Sequence, residues 1–86
     1  MGRREMMVRV RLFASLRDAA ECDECSLTLA PGARGVEVRQ AVAARYPRMR
    51  ELLETTRMAR NLEYASWNCP LADGDEVSLI PPVSGG

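Results

Sequence analysis

The 86-residue chain contains no histidine and no lysine; all twelve of its basic residues are arginine. Without imidazole it lacks the side chain that most often moves protons near neutral pH and most often binds metals. Without lysine it offers no side-chain amine to attack an activated acyl group, so two copies cannot be joined through isopeptide bonds. Compositional bias toward arginine is the plain explanation of the pattern, and the chemical consequence holds in either case. Aromatic residues are scarce, with one Trp, one Phe and two Tyr, which excludes the stacking platform of a single-strand nucleic-acid binder. Charge of one sign is also missing: twelve arginines balance twelve carboxylates. The basic footprint of a nucleic-acid-binding domain is therefore absent; Arg3-Arg4 and Arg9 with Arg11 read as solvated positions at the start of the chain and on the outer face of a strand.

Long apolar runs are absent too. None approaches the ~20 residues of a membrane span, and Met1-Gly2-Arg3-Arg4-Glu5-Met6-Met7 leads into alternating residues rather than a signal-peptide core. No membrane partner is expected, and the expected location is cytoplasmic. Cysteine is sparse and odd in number: Cys22, Cys25 and Cys69 do not make a disulfide framework. Cys22 and Cys25 have C-x-x-C spacing, but a zinc site needs four ligands and only Cys69 remains. No metal site is expected. The pair runs into a strand instead of opening a helix as a thioredoxin-type pair does, and the role of the three thiols stays open.

What is present is the composition of one small soluble domain, 47% apolar and 28% charged. A chain this short leaves little structure for a deep cleft, so it is expected to work by presenting a surface or a terminus to something larger. Val8, Val10 and Leu12 alternate with Arg9 and Arg11, the period-two pattern of a half-buried strand. Ser15 is expected to cap a short helix running to Glu21, with Leu16, Ala19 and Ala20 inward. Ser26–Leu29 reads as a second strand, closed by Ala30-Pro31-Gly32. From Val36 to Tyr46 the period becomes helical, with Val38, Ala41, Val42 and Tyr46 on one face, until Pro47 ends it. Met49, Leu52 and Leu53 suggest one or two further helical turns. Met58 to Ala65 is expected to be a third strand. Leu71 to Glu76 is the clearest turn, with Gly74 free to adopt positive φ, and Val77–Ile80 forms the last strand. The order predicts an α+β fold, a small mixed sheet packed on one main helix over residues 1–80, followed by an extended tail over 81–86.

The tail Pro81-Pro82-Val83-Ser84-Gly85-Gly86 is an unusual finish. Two prolines halt the strand and favour an extended, already ordered backbone. The four residues from Val83 to Gly86 can then reach roughly 13 Å when extended. Gly85 and Gly86 carry no side chain, so they can enter a tunnel too narrow for other residues. The group delivered there is the carboxylate of Gly86, which becomes an acyl donor only once a partner activates it.

The stretch from Pro70 through Asp73-Gly74-Asp75-Glu76 to Pro81-Pro82-Val83-Ser84-Gly85-Gly86 resembles the C-terminal signature of the β-grasp sulfur carriers (MoaD and ThiS types), in particular the small subunits of molybdopterin synthase. Val10-Arg11-Leu12-Phe13-Ala14-Ser15-Leu16-Arg17 is similar to the first strand and turn of that family. The resemblance implies a ubiquitin-like β-grasp. It implies that Gly86 is adenylated by a ubiquitin-activating-like adenylyltransferase using ATP, then thiocarboxylated by a sulfurtransferase. The tail would enter the large synthase subunit, in a heterotetramer, and give sulfur to cyclic pyranopterin monophosphate. Catalytic residues would lie on the large subunit, and the chain would bind no cofactor itself. Phe13, Tyr64 and Ile80 match the family's apolar docking patch, with ordinary core burial as the competing reading. Arg17 and Asn61 match recurrent positions, read as holding the first turn by an ion pair and the third strand respectively. The cysteine pair and the missing lysines are departures that leave the tail untouched. Two alternatives stay open: a carrier serving thiamine thiazole, cysteine or tRNA thiolation, and a ubiquitin-like modifier joined to target lysines. Thiamine-type carriers are usually shorter and lack the two prolines, which favours the pterin reading.

Overall fold

Alternation along Met6–Leu12 puts Met6, Val8, Val10 and Leu12 on one side of strand β1 and leaves Met7, Arg9 and Arg11 exposed on the other. In a computed structural model of the chain, which describes residues 5–82, β1 is followed by α1 (Ala14–Ala20), β2 (Glu24–Leu29) and α2 (Gly35–Arg45). A 3₁₀ turn (Pro47–Met49), α3 (Arg50–Leu53), β3 (Arg57–Arg60), β4 (Glu63–Ala65) and β5 (Glu76–Ile80) complete the order.

The five strands form one sheet in the order β2-β1-β5-β3-β4. The first and last strands of the chain lie side by side at its centre, in parallel, with Val10 opposite Val77 and Leu12 opposite Leu79. The other three pairings are antiparallel. The result is the β-grasp arrangement expected from the sequence, a mixed sheet curved over one main helix. Val8, Val10, Leu12, Met58, Val77 and Leu79 from the sheet meet Leu16, Val38, Val42, Met49 and Leu53 from the helical side, all at 2% exposure or less. Each such side chain contributes about 1.5–3 kcal/mol of burial free energy, which in a domain this small is most of what opposes chain entropy.

Helix α2 starts where Glu37 accepts the Arg34 N–H at 2.6 Å, one half of a capping box with its carboxylate at the positive helix end. It stops before Pro47, which opens the 3₁₀ turn, as expected. Two expectations need correction. Ser15 does not cap α1: the extended residue ahead of the helix is Phe13, no side chain caps it, and the N–H groups of Leu16 and Arg17 already have the Phe13 carbonyl, at 3.0 and 3.4 Å. The segment from Met58 to Ala65 is not one strand either. It is the hairpin β3–β4, closed by Asn61 and Leu62 with positive φ, and Arg60 faces Glu63 across it. No helix among the described residues is long and apolar enough to cross a membrane.

Candidate functional site

The helices cover one face of the sheet and leave the other open. On that open face the registers align Arg11, Ser78, Ala59 and Tyr64 in a row across β1, β5, β3 and β4. Two small residues, Ser78 and Ala59, form the middle of the row and are each 5% exposed. They are covered because larger neighbours stand around them. Phe13, Leu62, Tyr64 and Ile80 form the walls of a groove of about 410 Å³ with Ser78 and Ala59 as its floor. Phe13, Leu62 and Tyr64 are exposed large apolar side chains, the kind of apolar patch from which contact surfaces are built.

Each wall has a local cause. Phe13 stands where β1 turns into α1, and the Arg11 guanidinium lies 5.6 Å from its ring centre. Arg11 and Arg9 also face Glu76, at 3.9 and 3.6 Å. Ile80 is the last residue of β5 and pairs with Arg57, so arginine borders the groove on β1 and on β3. Tyr64 sits on the short edge strand β4. A second depression of about 320 Å³ shares Tyr64 and Ile80 and adds Thr55, Arg57, Pro81 and Pro82. The apolar groove is therefore continuous with the two prolines at the root of the tail. Val83, Ser84, Gly85 and Gly86 lie outside the described residues.

A buried carboxylate, that of Asp75, ties the turn between β3 and β4 to the loop before β5. Asp75 accepts from Arg60 Nε at 2.6 Å, from the Ala72 N–H at 2.8 Å and from Asn61 Nδ2 at 3.0 Å. Burial alone would push its carboxyl up; the hydrogen bonds from Arg60, Ala72 and Asn61 outweigh that and hold it below its ordinary value. Asn61 in turn accepts the Glu76 N–H at 2.9 Å. The residue expected to hold the third strand does so, by tying the β3–β4 turn to β5. Arg17 behaves otherwise: it is exposed and makes no ion pair among the described residues, so the first turn rests on backbone bonds, including that from Glu21 N–H to the Arg17 carbonyl at 2.8 Å.

The three cysteines lie away from this face and are free thiols. Cys25 points into the core from β2, where burial raises its thiol and works against thiolate chemistry. Cys22 contacts the Tyr46 hydroxyl at 3.7 Å, and Cys69 donates to the Pro70 carbonyl at 3.4 Å. No group of three or more Cys, Asp or Glu among the described residues could hold a metal ion. The groove contains one hydroxyl on its floor, that of Ser78, and a phenol on its wall, that of Tyr64.

The resemblance singles out Phe13, Tyr64 and Ile80, and the structure brings the three together around one groove; Leu62, Ala59 and Ser78 do not stand out in the sequence. Ser78 does carry a signal, since Val77 and Leu79 inward put Ser78 and Ile80 outward. Ala59 and Leu62 require the hairpin to be recognised first.

Residues 10–86 match the ThiS family. The chain belongs to that family. It is 35% identical over 83 residues to the molybdopterin synthase sulfur carrier subunit of Chlamydomonas reinhardtii, covering 94% of this chain and 100% of that protein. The fold is similar to the crystal structure of SAMP1 from Haloferax volcanii, with a TM-score of 0.86 at 26% identity over 93% of this chain and 99% of that one. It also resembles a chain in the protein–protein complex of subunits 1 and 2 of molybdopterin-converting factor from Helicobacter pylori, with a TM-score of 0.67 at 32% identity over 94% and 100%. The ubiquitin-like β-grasp expected from the sequence is thus the fold of this ThiS-family chain.

Proposed function

We propose that this chain is the sulfur-carrier subunit of a molybdopterin synthase and that the carboxylate of Gly86 is its working group. The carrying observation is the continuity between the apolar groove and the prolines at the root of the tail. A partner that covers Phe13, Tyr64 and Ile80 also receives whatever follows Pro82, so docking and delivery are coupled. The relative from Helicobacter pylori, solved with its second subunit, supports a large-subunit partner; two carriers on a large-subunit dimer would make the heterotetramer.

In this reading a ubiquitin-activating-like adenylyltransferase joins the Gly86 carboxylate to the α-phosphate of ATP and releases pyrophosphate. A sulfurtransferase then supplies a sulfur nucleophile; the C–S bond forms, the C–O bond to phosphate breaks, and AMP leaves. The thiocarboxylate sulfur attacks cyclic pyranopterin monophosphate inside the large subunit; water then cleaves the bond between the Gly86 acyl carbon and that sulfur, leaving the sulfur on the pterin and a free carboxylate on the carrier, and two rounds build the dithiolene. The carrier contributes docking, reach and a narrow end, while the catalytic side chains and ATP belong to its partners. It works in the cytoplasm without a bound cofactor.

A second reading is favoured by one likeness: the solved relative from Haloferax volcanii is named SAMP1, which for the protein of Methanosarcina acetivorans is spelled out as small archaeal modifier protein 1. The same activated Gly86 would then acylate lysines on other proteins, and the absence of lysine from this chain would prevent chains of modifier on modifier. The intact mass of the protein purified from its own cells tests the carrier. The expected result is a mass raised by the difference between sulfur and oxygen, with fragments placing it on Gly86. A carboxylate that stays unmodified with ATP, a cognate activating enzyme and a sulfur source would overturn the proposal. Adducts that survive a denaturing gel would move the assignment to the modifier.

A further inference from the structure

The hairpin β3–β4 has a two-residue loop, Asn61-Leu62, between the facing residues Arg60 and Glu63. Both loop residues have positive φ, +50° at Asn61 and +74° at Leu62. This is the backbone of a type I′ turn, in which the second position strongly prefers glycine. Asn61 has a local reason to be there: asparagine tolerates the left-handed region, and its side chain is clamped between Asp75 and Glu76. Leu62 has none. A leucine in that region is an outlier that costs stability, and at 81% exposure it recovers little by packing within its own chain. Neither turn preference nor core burial accounts for it.

Its position does. Leu62 stands on the wall of the apolar groove, beside Tyr64 and above Ala59. Strained residues that the surrounding structure holds in place cluster at ligand clamps and contact sites. The restraint here is the Arg60–Asp75–Asn61 network, which ties the turn to β5 by the Asn61 N–H to Glu76 carbonyl bond at 2.8 Å as well as by side chains.

We propose that Leu62 is an anchor of the groove, buried by the large subunit on docking. This rests on the functional reading above and deepens it. The occupant is the large subunit, because the groove runs on into the prolines at the root of the tail that subunit would receive. It must offer an apolar socket at the β3–β4 end of the groove.

Leu62→Gly separates function from fold. Glycine is the residue the turn prefers and removes the apolar side chain, so the melting temperature does not fall while affinity for the large subunit drops about tenfold or more. Leu62→Asn, which also tolerates positive φ, shows the same split. Calorimetric titration of the full-length chain into the purified large subunit reads the affinity, and thermal unfolding reads the fold. Wild-type binding with unchanged Kd for both variants overturns the anchor alone. A fall in both melting temperature and affinity also overturns it, because Leu62 would then serve the fold. A wild-type chain that does not bind the large subunit overturns the functional reading and the anchor with it.

Discussion

The Asn61 side-chain amide donates to the Asp75 carboxylate at 3.0 Å although the two residues are 14 positions apart. Through this bond the β3–β4 hairpin turn, which carries a wall of the groove, is registered against the loop that leads into β5. The same carboxylate holds Arg60 and the Ala72 N–H, so one buried acid joins the end of β3, the hairpin turn and the loop before β5.

Asp75→Ala removes the acceptor for all three donors. Hydrogen bonds to a charged group are worth about 1.5–3 kcal/mol each in favourable settings, and the Arg60 side chain, 37% exposed, is partly screened by water. The expected loss of stability is about 2 kcal/mol in total, read from the urea midpoint. A midpoint equal to wild type would show that the network is not stabilising.

The carboxyl of Asp75 is held below its ordinary value of 3.8. The folded state therefore binds this proton less tightly than the unfolded chain. Its contribution is full above pH ~4 and disappears as pH falls through the lower folded value. Urea midpoints between pH 5 and pH 2 should fall more steeply for wild type than for Asp75→Asn. Parallel curves would remove Asp75 as the source of acid sensitivity.

Gly35→Ala tests the contact between α2 and β3. A Cβ there would stand 2.5 Å from Met58 Sδ, 2.7 Å from Met58 Cε and 2.9 Å from the Trp67 carbonyl oxygen. The Met58 side chain can turn, but it is 1% exposed and already packed, and the Trp67 carbonyl is backbone that accepts the Val36 N–H at 2.8 Å. Overpacking should cost about 1–3 kcal/mol with the groove unaltered. Wild-type thermal stability would mean that the helix shifts freely.

Ile80→Asp places a carboxylate where the groove meets the tail. Burying that charge against an apolar partner is strongly unfavourable, so affinity for the large subunit should fall at least tenfold while circular dichroism stays native. Unchanged affinity in a titration would take Ile80 out of the docking surface.

Removal of Gly86 should abolish sulfur transfer and leave the melting temperature of the domain unchanged. Sulfur transfer to cyclic pyranopterin monophosphate in a reconstituted assay is the readout. Retained transfer would mean that the reacting carboxylate is not that of Gly86.

Much of the molecule is legible from local chemistry. Alternation of Val8, Val10 and Leu12 with Arg9 and Arg11, the helical period from Val36 to Tyr46 and the stop at Pro47 each depend on neighbours a few residues away, and β1 and α2 stand within a residue or so of where those patterns put them. The resemblance of the two ends to sulfur carriers is legible for the same reason, since it resides in contiguous motifs. Ser15 misleads because the Phe13 carbonyl satisfies the donors a cap would serve, and the β3–β4 turn is hidden because leucine stands where turn chemistry wants glycine. Only the tertiary structure could decide that β1 and β5 lie together, that Ser78 and Ala59 form one floor, and that Phe13, Leu62, Tyr64 and Ile80 share one groove. These relations join residues up to dozens of positions apart, and they follow from strand order and register, which close only when the whole core is buried at once.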